Sequence, residues 1–153
     1  MSGYLWKATA RNVNRALRER LAKEKILDSW ALLCYLEQEP GFEKVVELFE
    51  KAVRLSEPLL MCMVNWGEVY YQVAKRFGEK KAREIEPLIE SFPVSLVDAD
   101  KNLTRETARI KATKPMAYAD CFAVALARLK KAELYTGDPE FKAVEKEIII
   151  ICV

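Results

Sequence analysis

Short apolar runs alternate along the chain with longer segments in which apolar residues recur every three or four positions. The apolar runs predict five buried β-strands, over residues 25–28, 59–64, 92–97, 132–136 and 147–153. The intervening segments predict amphipathic helices, because their apolar positions fall on one side of a helix. This alternation predicts an α/β fold with a mostly parallel five-stranded sheet and helices on both of its faces.

Individual residues set several of the predicted helix boundaries. Pro87 is expected to break or bend a charged helix over residues 79–91. Asp98 and Asp100 precede the next helix, which is rich in polar residues, and capping explains both acids without further chemistry. Pro115 is expected to open the most apolar helix, at the first helical position, where proline is best tolerated.

The pattern over residues 4–22 predicts a further helix that precedes the first strand. Its apolar residues lie on one side and its arginines elsewhere: Trp6, Val13, Leu17 and Leu21, against Arg11, Arg15, Arg18 and Arg20. Two roles are open to it: a solvated helix that docks on the domain or on a second copy, or an arm that grips RNA. We therefore divide the chain into a basic helical N-terminal extension, 1–24, and one domain, 25–153.

Charge changes this picture only at the N-terminus. The net charge of the whole chain is +2, but residues 1–25 contain seven Lys or Arg and two Glu, a net charge of +5. A basic arm on a slightly acidic body is compatible with nucleic acid without requiring it. The N-terminus has no signal-peptide pattern, and the longest apolar runs are far shorter than the ~20 residues that span a bilayer. We therefore expect a cytoplasmic protein without membrane contact.

Two residue types narrow the possible chemistry. The chain contains no histidine, which excludes His-based acid–base catalysis, Ser-His and Cys-His nucleophiles and His-containing metal sites. Its four cysteines lie far apart inside apolar segments, with no C-x-x-C pair: Cys34, Cys62, Cys121 and Cys152. They are expected to be reduced core thiols, not disulfides or zinc ligands.

Four acidic residues stand out from the surface charge. Asp120 lies in the most apolar helix, where a carboxylate is costly to bury unless a positive charge compensates it. Asp28 ends the first strand, and Glu68 lies in the first turns of the helix after the second strand. Asp138 follows the fourth strand in a Gly-Asp-Pro turn. Each of these last three also has a simpler explanation, as a helix cap, a partner of the helix dipole and a turn residue respectively.

At the carboxyl edge of a parallel sheet these four acids can converge. They cannot all ionise there unless cations neutralise them, because like charges raise each other's pKa. Oxygen ligands favour Mg²⁺ or Mn²⁺ over zinc. Such a site suits phosphodiester hydrolysis by a two-metal carboxylate mechanism, in which one ion activates a water and a second stabilises the leaving oxygen. No Gly-rich phosphate-binding loop is present, so no nucleotide cofactor is expected.

Four motifs follow one another along the chain: I-L-D-S-W-A-L-L, V-N-W-G-E-V-Y-Y, Y-A-D-C-F-A-V-A-L-A and Y-T-G-D-P-E-F. With this order and spacing, residues 25–153 resemble a PIN-domain ribonuclease of the VapC toxin type. The resemblance implies an endoribonuclease that requires Mg²⁺ or Mn²⁺. It also implies an acidic metal-binding and catalytic set and three supporting residues: Asp28, Glu68, Asp120 and Asp138, with Ser29, Asn65 and Thr136.

The same resemblance implies a homodimer, an RNA substrate and a cognate antitoxin whose tail enters the acidic groove. Two other interpretations stay open: a DNA nuclease or RNA-processing enzyme outside toxin systems, and a PIN-like module that binds RNA or protein without turnover. An incomplete acid set would favour the module, whereas all four acids are present. The chain departs from such toxins in the 24 residues before its first strand, since they usually begin within a few residues of the first Asp.

Overall fold

The computed structural model describes residues 12, 13, 17 and 23–153 of the chain. Within these residues five strands pair into one sheet: β1 (Lys25–Leu27), β2 (Leu59–Cys62), β3 (Val94–Val97), β4 (Glu133–Thr136) and β5 (Ile149–Cys152). Their order across the sheet is β3-β2-β1-β4-β5, and every neighbouring pair is parallel. All five strands therefore end at the same edge of the sheet, and the segments that follow them meet there.

Helices connect these strands. In the described part of the chain they are α1 (Ser29–Glu37), α2 (Phe42–Leu55), α3 (Met63–Phe77), α4 (Glu79–Glu90), α5 (Lys101–Thr113), α6 (Tyr118–Lys130) and the 3₁₀ helix Pro139–Val144. Helices α1 to α4 share one cluster of buried apolar residues, and α5 and α6 share a second cluster with the strands. The predicted parallel five-stranded sheet with helices on both faces is therefore confirmed.

Alternation within the strands explains how two clusters form on one short sheet. Ile26 belongs to the cluster of α5 and α6, whereas its neighbour Leu27 belongs to the cluster of α1 to α4. In β2, Leu59 and Met61 face α1 to α4, and Cys62 faces α5 and α6. Because successive side chains point to opposite faces and both faces are covered, these strands are continuous apolar runs in the sequence.

Helix α6 is buried along most of its length. Its residues 120–127 are all buried, whereas Tyr118 and Leu129 near its ends are exposed. Alanine occupies every second position from 123 to 127, and these small side chains allow close packing against the sheet and α5. The helix therefore carries Asp120, in its first turn, into the interior of the protein.

The structure contradicts the predicted helix start at Pro115 and the predicted break at Pro87. Pro115 does not open α6, which begins at Tyr118. It ends α5 instead, because a residue before proline disfavours helical geometry, and Lys114 is extended, with φ −122° and ψ 139°. Pro87 does not break α4, which continues to Glu90, and a bend at this proline stays a prediction. The predicted strands are also one or two residues too long at their ends.

The two acidic residues between β3 and α5 accept hydrogen bonds from backbone amides of this segment. Asp100 caps α5 as predicted, since its Oδ1 accepts a hydrogen bond from the backbone N of Leu103 at 2.8 Å. Asp98 contributes its backbone carbonyl, which accepts a hydrogen bond from the backbone N of Asp100 at 3.0 Å. Both acids are exposed.

All four cysteines are free. Cys34, Cys62 and Cys121 are buried, as predicted. Cys152 is exposed, so its prediction as a core thiol is wrong. The reason is its position at the end of β5, an edge strand of the sheet.

The N-terminal helix predicted over residues 4–22 lies almost entirely outside the described residues. Asn12, Val13 and Leu17 are described, and all three are helical. Nowhere in residues 23–153 does a helix combine the length and apolar character needed to cross a membrane.

Candidate active site

Asp28 connects β1 to α1 and is only 1% exposed. Its Oδ1 accepts a hydrogen bond from the backbone N of Ala31 at 2.8 Å and so caps α1. Its Oδ2 is buried without a hydrogen-bond partner among the described residues. The pKa of Asp28 is raised to about 7, mainly by burial and in part by the charges of Asp120 and Asp138, and the Ala31 amide and the nearby Thr136 hydroxyl oppose the rise. The cap therefore satisfies one carboxylate oxygen and leaves the other available to a ligand.

Asp120 is the second buried acid, with 8% of its surface exposed. The pKa of Asp120 is raised to about 7, mainly by burial and in part by the charges of Glu68, Asp138 and Glu140. Within the described part of the chain, neither Asp120 nor any of these three neighbouring acids forms an ion pair with Lys or Arg. No basic residue in the part of the chain that the structure describes therefore neutralises their negative charge through an ion pair.

Asp138 and Glu140 reach Asp120 from the turn after β4. The backbone N of Asp138 donates a hydrogen bond to Thr136 Oγ1 at 3.0 Å, and the backbone N of Glu140 donates one to Asp138 Oδ1 at 2.9 Å. These bonds shape a turn in which one carboxylate oxygen from each of Asp120, Asp138 and Glu140 lies within 4.8 Å of the other two. One cation could contact all three oxygens at this spacing.

Two polar side chains hold α3 in place around the acids. The Ser29 hydroxyl donates a hydrogen bond to Glu68 Oε2 and so connects the start of α1 to α3. The buried Asn65 donates a hydrogen bond from Nδ2 to the carbonyl oxygen of Ala119 at 3.0 Å, which connects α3 to the residue before Asp120. Asn65 Oδ1 is buried and lacks a partner within the residues described.

Trp30 packs against the backbone of Gly137, the residue directly before Asp138. A Cβ atom at position 137 would lie 2.2 Å from two carbon atoms of the Trp30 ring. Glycine is required here for close approach. The indole ring therefore limits the positions that the Asp138 turn can adopt.

These residues surround an open groove of about 570 Å³. Ser29, Glu68, Asp120, Asp138 and Glu140 are among the residues that line it, and Asp28 is buried next to them. The clustered carboxylate oxygens, their uncompensated charge and the unpartnered Oδ2 of Asp28 fit a divalent cation with oxygen ligands. Without such a cation, burial and mutual repulsion keep the pKa values of the two most buried acids high.

The four predicted acids lie close together in the structure. Glu68, Asp120 and Asp138 line one groove, and the charges of Asp120 and Asp138 act on the adjacent Asp28. The sequence interpretation missed Glu140. Glu140 could have been found from its position two residues after Asp138 in the T-G-D-P-E-F motif, but in the sequence it resembles an ordinary solvated charge. The catalytic and metal-binding roles of these acids stay predictions.

A family model described as PIN domain matches residues 25–147 of the chain. The chain belongs to the PIN domain family. The matched region of this PIN domain begins with β1 and includes every acid of the groove. The division into an extension, 1–24, and a domain, 25–153, stays a prediction.

Curated relatives of this PIN domain carry the name of one toxin type. VapC ribonuclease Mb0640 of Mycobacterium bovis is 27% identical over 124 residues, which cover 76% of this chain and 92% of the relative. Ribonuclease VapC30 of Mycobacterium tuberculosis matches with the same identity and coverage. The predicted resemblance to PIN-domain ribonucleases of the VapC type is therefore confirmed.

Solved structures share the fold of this PIN domain at low sequence identity. DNA-bound VapBC from Salmonella typhimurium has a TM-score of 0.70 and 17% identity, and the match covers 85% of this chain and 98% of the Salmonella chain. VapBC2 from Rickettsia felis, bound to a promoter DNA fragment, has a TM-score of 0.68 and 14% identity over 84% and 97% of the two chains. Mycobacterium tuberculosis VapC20, a sarcin–ricin-loop cleaving toxin, has a TM-score of 0.61 and 15% identity over 79% and 95%.

Replacing Gly137 by Ala should destabilise the fold by about 1–3 kcal/mol, because the new methyl group must displace Trp30 or the turn. Urea unfolding measures this change. Gly67→Ala is the matched control, since a Cβ at this position in α3 meets nothing within 4 Å and should stabilise the helix by ~0.5–1 kcal/mol. Equal effects of the two substitutions would contradict the contact.

The stability of the metal-free protein should fall as the pH rises from 5 to 8. The folded protein keeps protons on Asp28 and Asp120 up to a pKa of about 7, whereas the unfolded chain loses them near 3.8, so the unfolded state binds fewer protons across this range. We expect a fall in Tm of about 10–20 °C in the presence of a chelator, measured by differential scanning fluorimetry. Asp120→Asn should remove roughly half of it.

Two other acids with shifted pKa values titrate outside this pH range. The ion pairs of Glu106 and Glu147 with Arg and Lys lower the pKa values of both carboxyl groups, so both titrate below pH 5. A Tm that rises or stays level between pH 5 and 8 would refute the uncompensated burial of Asp28 and Asp120.

Proposed function

We propose that this chain is a metal-dependent endoribonuclease that hydrolyses RNA phosphodiester bonds, and that it is the toxin of a toxin–antitoxin pair. The observation that carries the proposal is the cluster of uncompensated carboxylates from Asp120, Asp138 and Glu140 beside the buried Asp28. The cluster lies at the carboxyl edge of the sheet in a PIN domain, where open α/β sheets place their sites. Relatives named VapC ribonucleases support RNA as the substrate.

Five acids of this chain would hold the cation: Asp28, Glu68, Asp120, Asp138 and Glu140. Their ligand atoms are all hard oxygens, which favour Mg²⁺ or Mn²⁺ over softer metals. When bound, such an ion supplies positive charge to the phosphate and lowers the pKa of a coordinated water.

The remaining groups position these acids. Ser29 holds Glu68 through its hydroxyl, and Asn65 fixes α3 against the start of α6. Thr136 accepts the hydrogen bond that fixes the turn before Asp138. The groove thus presents an array of oxygens whose spacing is set by secondary structure and side-chain hydrogen bonds, which limits the reorganisation needed during the reaction.

We further propose that a cognate antitoxin covers this groove and that the toxin forms a homodimer in the cytoplasm. The support for an antitoxin comes from structural neighbours, several of which are VapBC complexes. We also propose that residues 1–24 form an appendage, since the PIN match begins at residue 25.

Cleavage of a labelled RNA pool is the direct test of the proposed activity. We expect cleavage with Mg²⁺ or Mn²⁺ and none in the presence of a chelator, because the acids repel the phosphate when no cation is bound. Asp120→Asn should lower the rate by at least ~100-fold while circular dichroism remains unchanged.

The matched control is Asp98→Asn, which removes an exposed acid at the same edge of the sheet but away from the groove. This variant should cleave at the wild-type rate. Cleavage that persists in Asp120→Asn or in chelator would overturn the proposed mechanism. Preferential cleavage of a single-stranded DNA of matching sequence would point instead to a DNA nuclease.

Divalent ions should also stabilise the fold. Binding to the native state alone adds RT ln(1 + [L]/Kd), about 2.7 kcal/mol at a hundredfold excess over Kd, which corresponds to a rise in Tm of ~5–10 °C. Thermal unfolding in millimolar Mg²⁺ or Mn²⁺, with NaCl at equal ionic strength as the control, measures this rise. A rise of the same size in Asp120→Asn would show that the ion binds somewhere else.

A further inference from the structure

The groove continues beyond the acids along one face of α3. Glu68, Gln72 and Arg76 are spaced four residues apart in this helix, so their side chains lie one above the other, and all three line the groove. At 1.5 Å of rise per residue, Arg76 is about 12 Å from Glu68 along the helix axis. The face therefore extends from the acidic cluster to a cation.

Arg76 is the only cationic residue among the groove-lining residues that the structure describes. The same groove is lined by six carboxylates: Glu37, Glu39, Glu68, Asp120, Asp138 and Glu140. A polyanion that entered it would be repelled along the whole length unless positive charge were present at more than one point. A metal ion at the acidic cluster would supply one such point, and Arg76 supplies a second.

Glu37, at the end of α1, holds Arg76 at the groove. Arg76 Nη1 lies 2.6 Å from Glu37 Oε1 and 2.5 Å from Glu37 Oε2. The side chain of Arg76 is 48% exposed and that of Glu37 is 17% exposed. Because the Arg76 side chain is half exposed, its attraction to Glu37 is screened by solvent, and a phosphate can compete with the carboxylate for the guanidinium.

We propose that Arg76 binds a backbone phosphate of the RNA, one or two nucleotides from the phosphodiester that is cut. The inference rests on the proposed ribonuclease function and extends it to a second contact with the substrate. The planar guanidinium forms paired hydrogen bonds to phosphate oxygens, which a lysine ammonium cannot reproduce. Glu37 keeps the guanidinium extended over the groove until the phosphate takes its place. Arg76 is thus a positioning residue that sets where RNA lies relative to the acids.

The test compares wild type, Arg76→Ala, Arg76→Lys and Arg83→Ala. Arg83 is the matched control, since it lies on α4 with a 70% exposed side chain and is absent from the groove wall. Steady-state cleavage with Mn²⁺ gives KM and kcat at several KCl concentrations. Fluorescence anisotropy of a labelled single-stranded RNA with phosphorothioate linkages that resist hydrolysis, measured with Mn²⁺, gives affinity without cleavage.

Arg76→Ala should raise KM and weaken RNA binding by about tenfold, with kcat within about twofold of wild type. The slope of log affinity against log salt should become shallower by about 0.7, the value for one lost phosphate contact on a single strand. Arg76→Lys should fall between wild type and Arg76→Ala, because it keeps the charge and loses the paired geometry. Arg83→Ala should match wild type.

The inference is overturned if Arg76→Ala matches Arg83→Ala in KM and affinity, if only kcat changes, or if none of the proteins binds RNA. A wild-type protein that cleaves no RNA with either divalent ion would refute the proposed function instead. The anisotropy comparison would still decide whether Arg76 contacts RNA.

Discussion

The burial of carboxylates that form no ion pair within residues 23–153 is the constraint on which this structure depends. Asp120 is placed in the interior because α6 is packed on almost every side, and Asp28 is placed there because it ends the central strand β1. Two carboxylates with pKa values near 7 destabilise the fold at neutral pH unless something positive joins them. The surrounding apolar packing must offset that cost, so these two acids do not themselves stabilise the fold at neutral pH.

Helix N-capping sets the orientation of several of these acidic side chains. Asp28 caps α1, Asp138 caps the short 3₁₀ helix after β4, and Asp100 caps α5. The first two point into one site, while Asp100 is an exposed cap and nothing more. The difference lies in the surroundings: Asp28 keeps a buried oxygen without a hydrogen bond, and Asp138 lies within 4.8 Å of two other carboxylates.

This difference explains how far the sequence could predict the site. Alternating strands and helices were enough for the parallel sheet, and the odd position of Asp120 in an apolar helix was enough to suspect a cation. The fold decides whether a cap such as Asp28 is also a ligand, because that depends on residues distant in sequence. Glu140 was missed for the same reason, since only the hydrogen-bonded turn brings it to Asp120. Cys152 was misjudged because an apolar run does not reveal which strand lies at the edge.

The contact between Trp30 and Gly137 has an evolutionary consequence. The two residues belong to different motifs more than a hundred positions apart, yet the bulk of one occupies the space that a side chain on the other would need. Neither can change freely while its partner stays the same. A descendant of this chain that acquires a side chain at position 137 should also carry a smaller residue at position 30, so the pair is expected to change together among homologues.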